Sequence, residues 1–167
     1  MDPQYLAEIK AEDISDIYRQ LEAITVPLMS SKTAGRAATF GPHRAMTLGM
    51  IRARRTRQYG LSANSKKYPQ LYEAIMELGR KICPIEFTAI HVNHNVVCPR
   101  HLDGNNVGQS VILSMGDYDG CRLMVEGYGE YDTLNHPLLF DGSKAYHWNT
   151  PLTRGNKYSL VFFNYPQ

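Results

Sequence analysis

The sequence predicts an α+β domain, with two amphipathic helices in the first half packed against an antiparallel β-core in the second. Three observations lead there. The chain has 167 residues, 43% hydrophobic and 20% charged, which suits one sizeable core and leaves no room for a second full-sized domain. Before residue 84 the apolar residues recur at helical spacing. After Pro84 the pattern changes to short apolar or alternating runs separated by turn residues.

Leu6, Ile9, Ile14, Ile17, Tyr18, Leu21 and Ile24 fall on one broad face, which predicts a helix over residues 4–24. Residues 31–46 are rich in Ser, Gly, Thr and Ala and read as loop with room for one short strand. The run YPQLYEAIMELGRKI predicts a second helix over 68–82, with Pro69 in the first turn, where its missing N–H costs nothing. Met46, Met50 and Met76 read as core filler. From residue 84 on, EFTAIHVN, NVVCP, VGQSVILSM, CRLMVEG, HPLLF, KAYHW and NKYSLVFFNY alternate with DGNN, GDYDG, GYGEYDTLN, DGS and TRG. Seven or eight short strands at this spacing suggest a β-sandwich or barrel-like core. The expected organisation is therefore a single domain, with a helical, basic part over 1–83 and a β-core over 84–167.

Several classes are excluded. No apolar run approaches the ~18 residues that a membrane span needs. The opening MDPQYLAEIKAED is acidic and polar, unlike a signal peptide. Cys83, Cys98 and Cys121 are odd in number and form no CxxC pair, which points to reduced thiols in an intracellular compartment such as cytoplasm or nucleus. The net charge of +2 conceals an asymmetry. Residues 23–72 contain no Asp or Glu, yet hold nine of the eighteen Lys and Arg, densest in IRARRTRQYG. A solvated face normally mixes signs. A one-signed stretch fits a phosphate-contacting surface, with Arg52, Arg54, Arg55 and Arg57 as candidate nucleic-acid contacts.

The chemistry starts at His101-Leu102-Asp103. Residues two apart on a strand point to the same side, so this pair can share one metal. His147, 44 residues after Asp103 at the end of GSKAYHW, supplies a third ligand. Two imidazoles and one carboxylate form a facial triad, which leaves three positions open on Fe(II). His136, before Pro137, is the competing third ligand but lacks strand context, and His91 and His94 read as structural. Ten residues after His147 comes Lys157, placed to hold the distal carboxylate of a 2-oxo acid on the iron. Ser159, two residues on, faces the same side.

This order resembles the Fe(II)/2-oxoglutarate dioxygenase superfamily over about residues 88–165. Within it the sequence is similar to the TET/JBP-like branch, which oxidises 5-methylpyrimidines in DNA. HLDGNNVGQS resembles that branch's HxD with an Asn three residues after the Asp, and GDYDGCRLMV its GD-aromatic-x-GG turn. TFGPHRAMTLGM and YPQLYEAIMELG are similar to segments that precede the core. The sequence departs from the pattern at Lys157, where TET proteins carry Arg, and at Cys121, in place of the second turn Gly.

The resemblance implies a double-stranded β-helix (jelly-roll or cupin-like) core with two N-terminal supporting helices. It implies Fe(II) on His101, Asp103 and His147, and 2-oxoglutarate anchored by Lys157 and Ser159, with Arg154 as a fallback. It places Asn106 at the target base and Asn93 in the pocket, with Arg44 a candidate for the second cofactor carboxylate. The implied reaction hydroxylates the 5-methyl group of a pyrimidine in DNA, 5-methylcytosine first and thymine second, with 2-oxoglutarate and O2 as co-substrates. The base must be flipped out or single-stranded. Two alternatives stay open. A hydroxylase of a protein side chain such as proline, or of a small molecule, shares the triad and anchor but has no need of the basic stretch. A non-catalytic β-barrel that binds nucleic acid would turn nothing over.

Overall fold

A computed structural model describes residues 2–30, 40–53, 55–104 and 106–165. The elements in chain order are β1 (Gln4–Tyr5), α1 (Ala11–Glu22), β2 (Leu28–Met29), β3 (His43–Arg52), β4 (Tyr59–Leu61), α2 (Ala63–Lys67) and α3 (Pro69–Ile82), then β5 (Ala89–His94), β6 (Ser110–Gly120), β7 (Leu123–Val125), β8 (Gly129–Tyr131), β9 (Leu138–Phe140), β10 (His147–Asn149) and β11 (Leu152–Phe163). The large sheet runs β1-β9-β6-β11-β5-β3-β2, with β4 paired to β3, and the small sheet runs β10-β7-β8. An antiparallel bridge between His101 and His147 extends the small sheet by one position. After β5 the chain passes repeatedly between the sheets, from His101 to β6, to β7 and β8, to β9, to β10 and finally to β11. That winding is a double-stranded β-helix, in a mixed α+β chain whose sheets are antiparallel.

The pleat of the large sheet separates two environments. Met46 and Leu48 on β3, Ile90 and Val92 on β5, Val111, Leu113 and Met115 on β6, and Tyr158, Leu160 and Phe162 on β11 belong to one core with Ile14, Ile17 and Leu21 of α1 and Leu71, Ile75 and Leu78 of α3. The alternate residues point at the small sheet. There Ile112, Leu138 and Phe140 pack on Leu123 and Val125, with Val161 against them. Side chains alternate with period two, so one set of strands serves both faces. Gly79 lets α3 approach closely: a Cβ there would collide with the Phe87 ring and lie 2.8 Å from Phe162 Cε1.

The helix expected over 68–82 is present as α3, led by Pro69. The one expected over 4–24 is shorter. Gln4 and Tyr5 pair with Leu139 and Leu138 of β9, and the Tyr5 hydroxyl accepts the Asp132 N–H at 2.7 Å. Tertiary pairing overrides helical periodicity here. GDYDG and TRG are strand rather than turn: β6 runs on through Gly120 and pairs with β11 from Leu152 onward, across a register shift between Leu152 and Arg154. The largest departure is β3, ten residues deep in the sheet beside β5, where one short strand was expected. Among the described residues no helix is long and apolar enough to cross a membrane, and all three cysteines are unbridged.

Candidate metal centre

His101 and His147 face one another across their bridge, each backbone N–H donating to the other's carbonyl at 3.0 and 3.1 Å. Asp103 enters beside them, its N–H donating to the Gly142 carbonyl at 2.8 Å. One ligand atom from each of the three residues lies within 4.8 Å of the others. His101 Nε2 sits 3.2 Å from Asp103 Oδ1, and His147 Nε2 sits 3.4 Å from Asp103 Oδ2. All three side chains are largely withdrawn from solvent.

The neighbours orient these ligands. His101 Nδ1 lies 2.7 Å from the Pro99 carbonyl and His147 Nδ1 lies 2.9 Å from the Ala145 carbonyl. A carbonyl only accepts, so both Nδ1 atoms carry hydrogen, and both Nε2 atoms turn toward Asp103. The Asn106 amide donates to Asp103 Oδ2 at 3.3 Å and to Ser110 Oγ at 3.0 Å. Gly142 makes room: a Cβ there would collide with the Asp103 carboxylate and lie 3.0 Å from His147 Cε1. The Phe40 ring stands edge-on to His101 at 4.7 Å between centroids. It also borders an open cleft of about 590 Å³ shared with Pro99, Arg100 and Trp148.

The inner face of the large sheet supplies a polar floor. One row of the register reads Ala45, Asn93, Ser159, Ser114, and the next reads Thr47, His91, Val161, Ile112. Ser114 is tied to Thr133 at 2.7 Å, and Thr47 Oγ1 is 3.0 Å from His91 Nδ1. Asn93 and Ser159 are buried, and among the described residues their side chains make no hydrogen bond to the protein. Lys157 is 3% exposed. Its ammonium donates to the Cys121 carbonyl at 2.6 Å and lies 3.4 Å from Cys121 Sγ and 5.4 Å from the Tyr118 ring centroid, but no described carboxylate pairs with it. A buried cation without an anion is costly, and a carboxylate ligand relieves that cost. A two-imidazole, one-carboxylate donor set suits Fe(II), and the floor offers donors to a dicarboxylate. The residues present therefore fit Fe(II) and 2-oxoglutarate.

Other sequence candidates lie elsewhere. Arg154 is corrected: three residues before Lys157, it takes the opposite face of β11, where its guanidinium grips Asp119 and Asp117 at 2.7 Å each and is half exposed. Arg44 is also corrected: it pairs with His94, on the face of the sheet opposite Ala45 and Asn93, and its Nη1 donates to the Val26 carbonyl at 2.9 Å. Asn106, expected at the target base, has its amide nitrogen committed to Asp103 and Ser110. His136 stacks on Tyr5, and His94 stacks on Tyr158 and bonds Asn156. Arg52, Arg55 and Arg57 build the β3–β4 hairpin, in which Arg52 Nη1 donates to the Arg57 carbonyl at 2.6 Å and Arg55 and Arg57 are exposed. Arg54 lies outside the described residues.

Sequence reasoning missed Gly142, Phe40 and the Cys121 carbonyl. The DGS run containing Gly142 reads as an ordinary turn, and no spacing rule links it to an aspartate 39 residues earlier.

No protein-family profile matches the chain, and no curated protein matches it. Solved structures do share the fold. A structure described as NgTET1 in complex with 5mC DNA superposes with a TM-score of 0.67 at 15% identity, over 98% of this chain and 72% of that one. A 2OG-Fe(II) oxygenase family oxidoreductase from Burkholderia pseudomallei gives 0.62 at 17% identity, over 96% and 84%. A Pseudomonas putida prolyl-4-hydroxylase gives 0.56 at 18% identity, over 99% and 93%.

Proposed function

We propose that the protein is an Fe(II)- and 2-oxoglutarate-dependent dioxygenase that hydroxylates the 5-methyl group of a pyrimidine in DNA, 5-methylcytosine first and thymine second. The observation that carries the enzyme reading is the convergence of His101, Asp103 and His147, with both imidazole Nε2 atoms directed at the shared carboxylate. His101, Asp103 and His147 would hold the iron, and Lys157 with Ser159 the far carboxylate of 2-oxoglutarate. Those two groups and dioxygen supply the oxidising chemistry, in which the cosubstrate becomes succinate and carbon dioxide while the methyl group gains a hydroxyl. The chain fixes the two tautomers, holds Asp103 through Asn106, supplies a fixed cation in a site withdrawn from water, and positions the methyl group.

The DNA assignment rests on charge and placement. The acid-free stretch puts Arg55, Arg57, Lys66 and Lys67 on the surface. The β3–β4 hairpin carries Arg52, Arg55 and Arg57, and Arg54 belongs to the same run. It leaves the sheet at the end where Met50 N–H bonds the Thr88 carbonyl. Thr88 Oγ1 there accepts the Tyr165 N–H, and Val107 N–H bonds the Asn164 carbonyl. The basic hairpin and the loop that follows Asp103 therefore share one end of the molecule. The NgTET1 complex, solved with 5mC DNA, has the same fold.

A second reading, hydroxylation of a protein side chain such as proline, is favoured by Lys157 in place of Arg and by the fold shared with the prolyl-4-hydroxylase. The test incubates methylated oligonucleotides with protein, Fe(II) and 2-oxoglutarate, then digests them for nucleoside mass spectrometry. A pyrimidine nucleoside heavier by one oxygen, formed with succinate and absent with His101→Ala, is expected. Succinate without any oxidised nucleoside overturns the DNA assignment and leaves the dioxygenase. No succinate with the oligonucleotides, and none with a proline-containing peptide in their place, overturns both.

A further inference from the structure

The loop after Asp103 presents large apolar side chains to solvent. Leu102 is 39% exposed and Val107 is 53% exposed, one on each side of a metal ligand. Gly104 and Gly108 stand in open space, with nothing within 4 Å of an added Cβ. The Val107 backbone N–H bonds the Asn164 carbonyl beyond the end of β11 at 3.1 Å. β5 is the next strand over and β3, which leads into the cationic hairpin, the next again. Val107 lies across β11 from β5, bonded to the Asn164 carbonyl, so three interstrand steps of about 4.8 Å put the root of that hairpin roughly 14 Å to one side of it. Exposed apolar residues scattered singly need no explanation. Here, however, they adjoin the His101–Asp103–His147 triad in sequence, and Arg55 and Arg57 are exposed on the hairpin at the same end of the sheet.

A base inside duplex DNA cannot present its methyl group to a buried metal. It must leave the stack, and the vacancy costs stacking and pairing energy. Proteins that open duplexes commonly fill such a gap with an apolar side chain while cations hold the phosphates. We propose that Val107, supported by Leu102, is the wedge that enters the base stack when the target pyrimidine swings into the site, with Arg55 and Arg57 on the neighbouring phosphates. The inference rests on the DNA reading and adds a residue-level account of how duplex substrate is opened.

The test uses Val107→Ser, which removes apolar character at an exposed position, and compares two substrates. Wild-type and variant protein are given the same 5-methylcytosine oligonucleotide as duplex and as single strand. In parallel, metal-free protein is titrated with a duplex carrying 2-aminopurine beside the 5-methylcytosine, whose emission rises when the neighbouring stack opens. The wedge predicts that Val107→Ser loses about tenfold to a hundredfold in kcat/KM on duplex and less than twofold on single strand. It also predicts that most of the 2-aminopurine signal disappears. Unchanged single-strand turnover shows that the variant is folded and its metal site intact. Equal losses on both substrates, or an undiminished 2-aminopurine rise, overturn the wedge and leave the enzyme reading standing. Absence of any oxidised nucleoside from wild-type protein on either form overturns the DNA reading and the wedge with it.

Discussion

Asp103 shows how much of the site lies outside its three ligands. Its backbone is pinned to Gly142, its Oδ2 receives the Asn106 amide, and the missing Cβ of Gly142 gives the carboxylate its space. Groups that orient metal ligands typically contribute 10- to 100-fold to metal affinity. Asn106→Ala should therefore weaken Fe(II) or Co(II) binding by about that factor in an anaerobic titration, with the fold intact by circular dichroism. Gly142→Ala should do at least as much, because the added methyl group occupies the carboxylate's position. Unaltered metal affinity in both variants would show that Asp103 needs neither neighbour. The cysteines allow a simpler check. Burial pushes the Cys83 thiol up to about 12, so at pH 8 almost none of it is thiolate. Iodoacetamide at pH 8 should label Cys83 far more slowly in the native protein than in urea, as peptide mapping would show.

β11 performs two tasks with one alternation. Tyr158, Leu160 and Phe162 seal the helical side, while Lys157, Ser159 and Val161 face the small sheet. Lys157 therefore pays desolvation inside a fold held by its neighbours, and among the described residues no carboxylate offsets it. Lys157→Met should leave metal binding intact, abolish 2-oxoglutarate binding and raise the melting temperature by a few degrees, since replacing a buried charge with an apolar chain is neutral or stabilising. In the wild type, 2-oxoglutarate with metal should itself raise the melting temperature, and the variant should lose that response. A melting temperature that falls in Lys157→Met would mean that the bond to the Cys121 carbonyl outweighs the desolvation. The strand also marks the limit of local reasoning. The shared facing of Lys157 and Ser159 follows from alternation along β11, whereas His101 meets His147 through an isolated bridge and Asp103 follows outside any strand, held to the Gly142 carbonyl. Arg154 failed by the same rule, as an odd offset from Lys157 turned it outward to Asp117 and Asp119. GDYDG looked like a turn because its composition is turn-like, yet pairing with β11 draws it into a strand. Helix α1 came out shorter than its periodicity because β9 captures Gln4 and Tyr5. Contacts between residues far apart in sequence, such as Gly142 against Asp103, leave no local signal.

At the scale of the whole molecule, the sequence gives a net charge of only +2 but divides it unevenly. Acidic residues are present on both sides of residues 23–72 and absent within it. The fold places part of that stretch in the β3–β4 hairpin and α2, where Arg55, Arg57, Lys66 and Lys67 are exposed. Such an arrangement adds nothing to stability and increases self-repulsion, so its value lies in what it attracts. A polyanion is the natural partner, because each neutralised phosphate releases a counterion and steepens the salt dependence of binding by about 0.9 in log–log slope. Arg55→Ala with Arg57→Ala should accordingly flatten that slope by about 2 when binding to unmethylated duplex is followed by fluorescence anisotropy between 50 and 200 mM salt. Affinity should fall by a similar factor for every sequence tried, because phosphates carry no base information. Metal affinity should stay at the wild-type value, since among the described residues no hydrogen bond or ion pair joins either arginine to the triad. A slope unchanged in the double variant would remove the hairpin from the DNA-binding surface and shift that role to Lys66, Lys67 or another face, whereas a slope reduced together with metal affinity would mean that the substitutions had disturbed the fold rather than a phosphate contact.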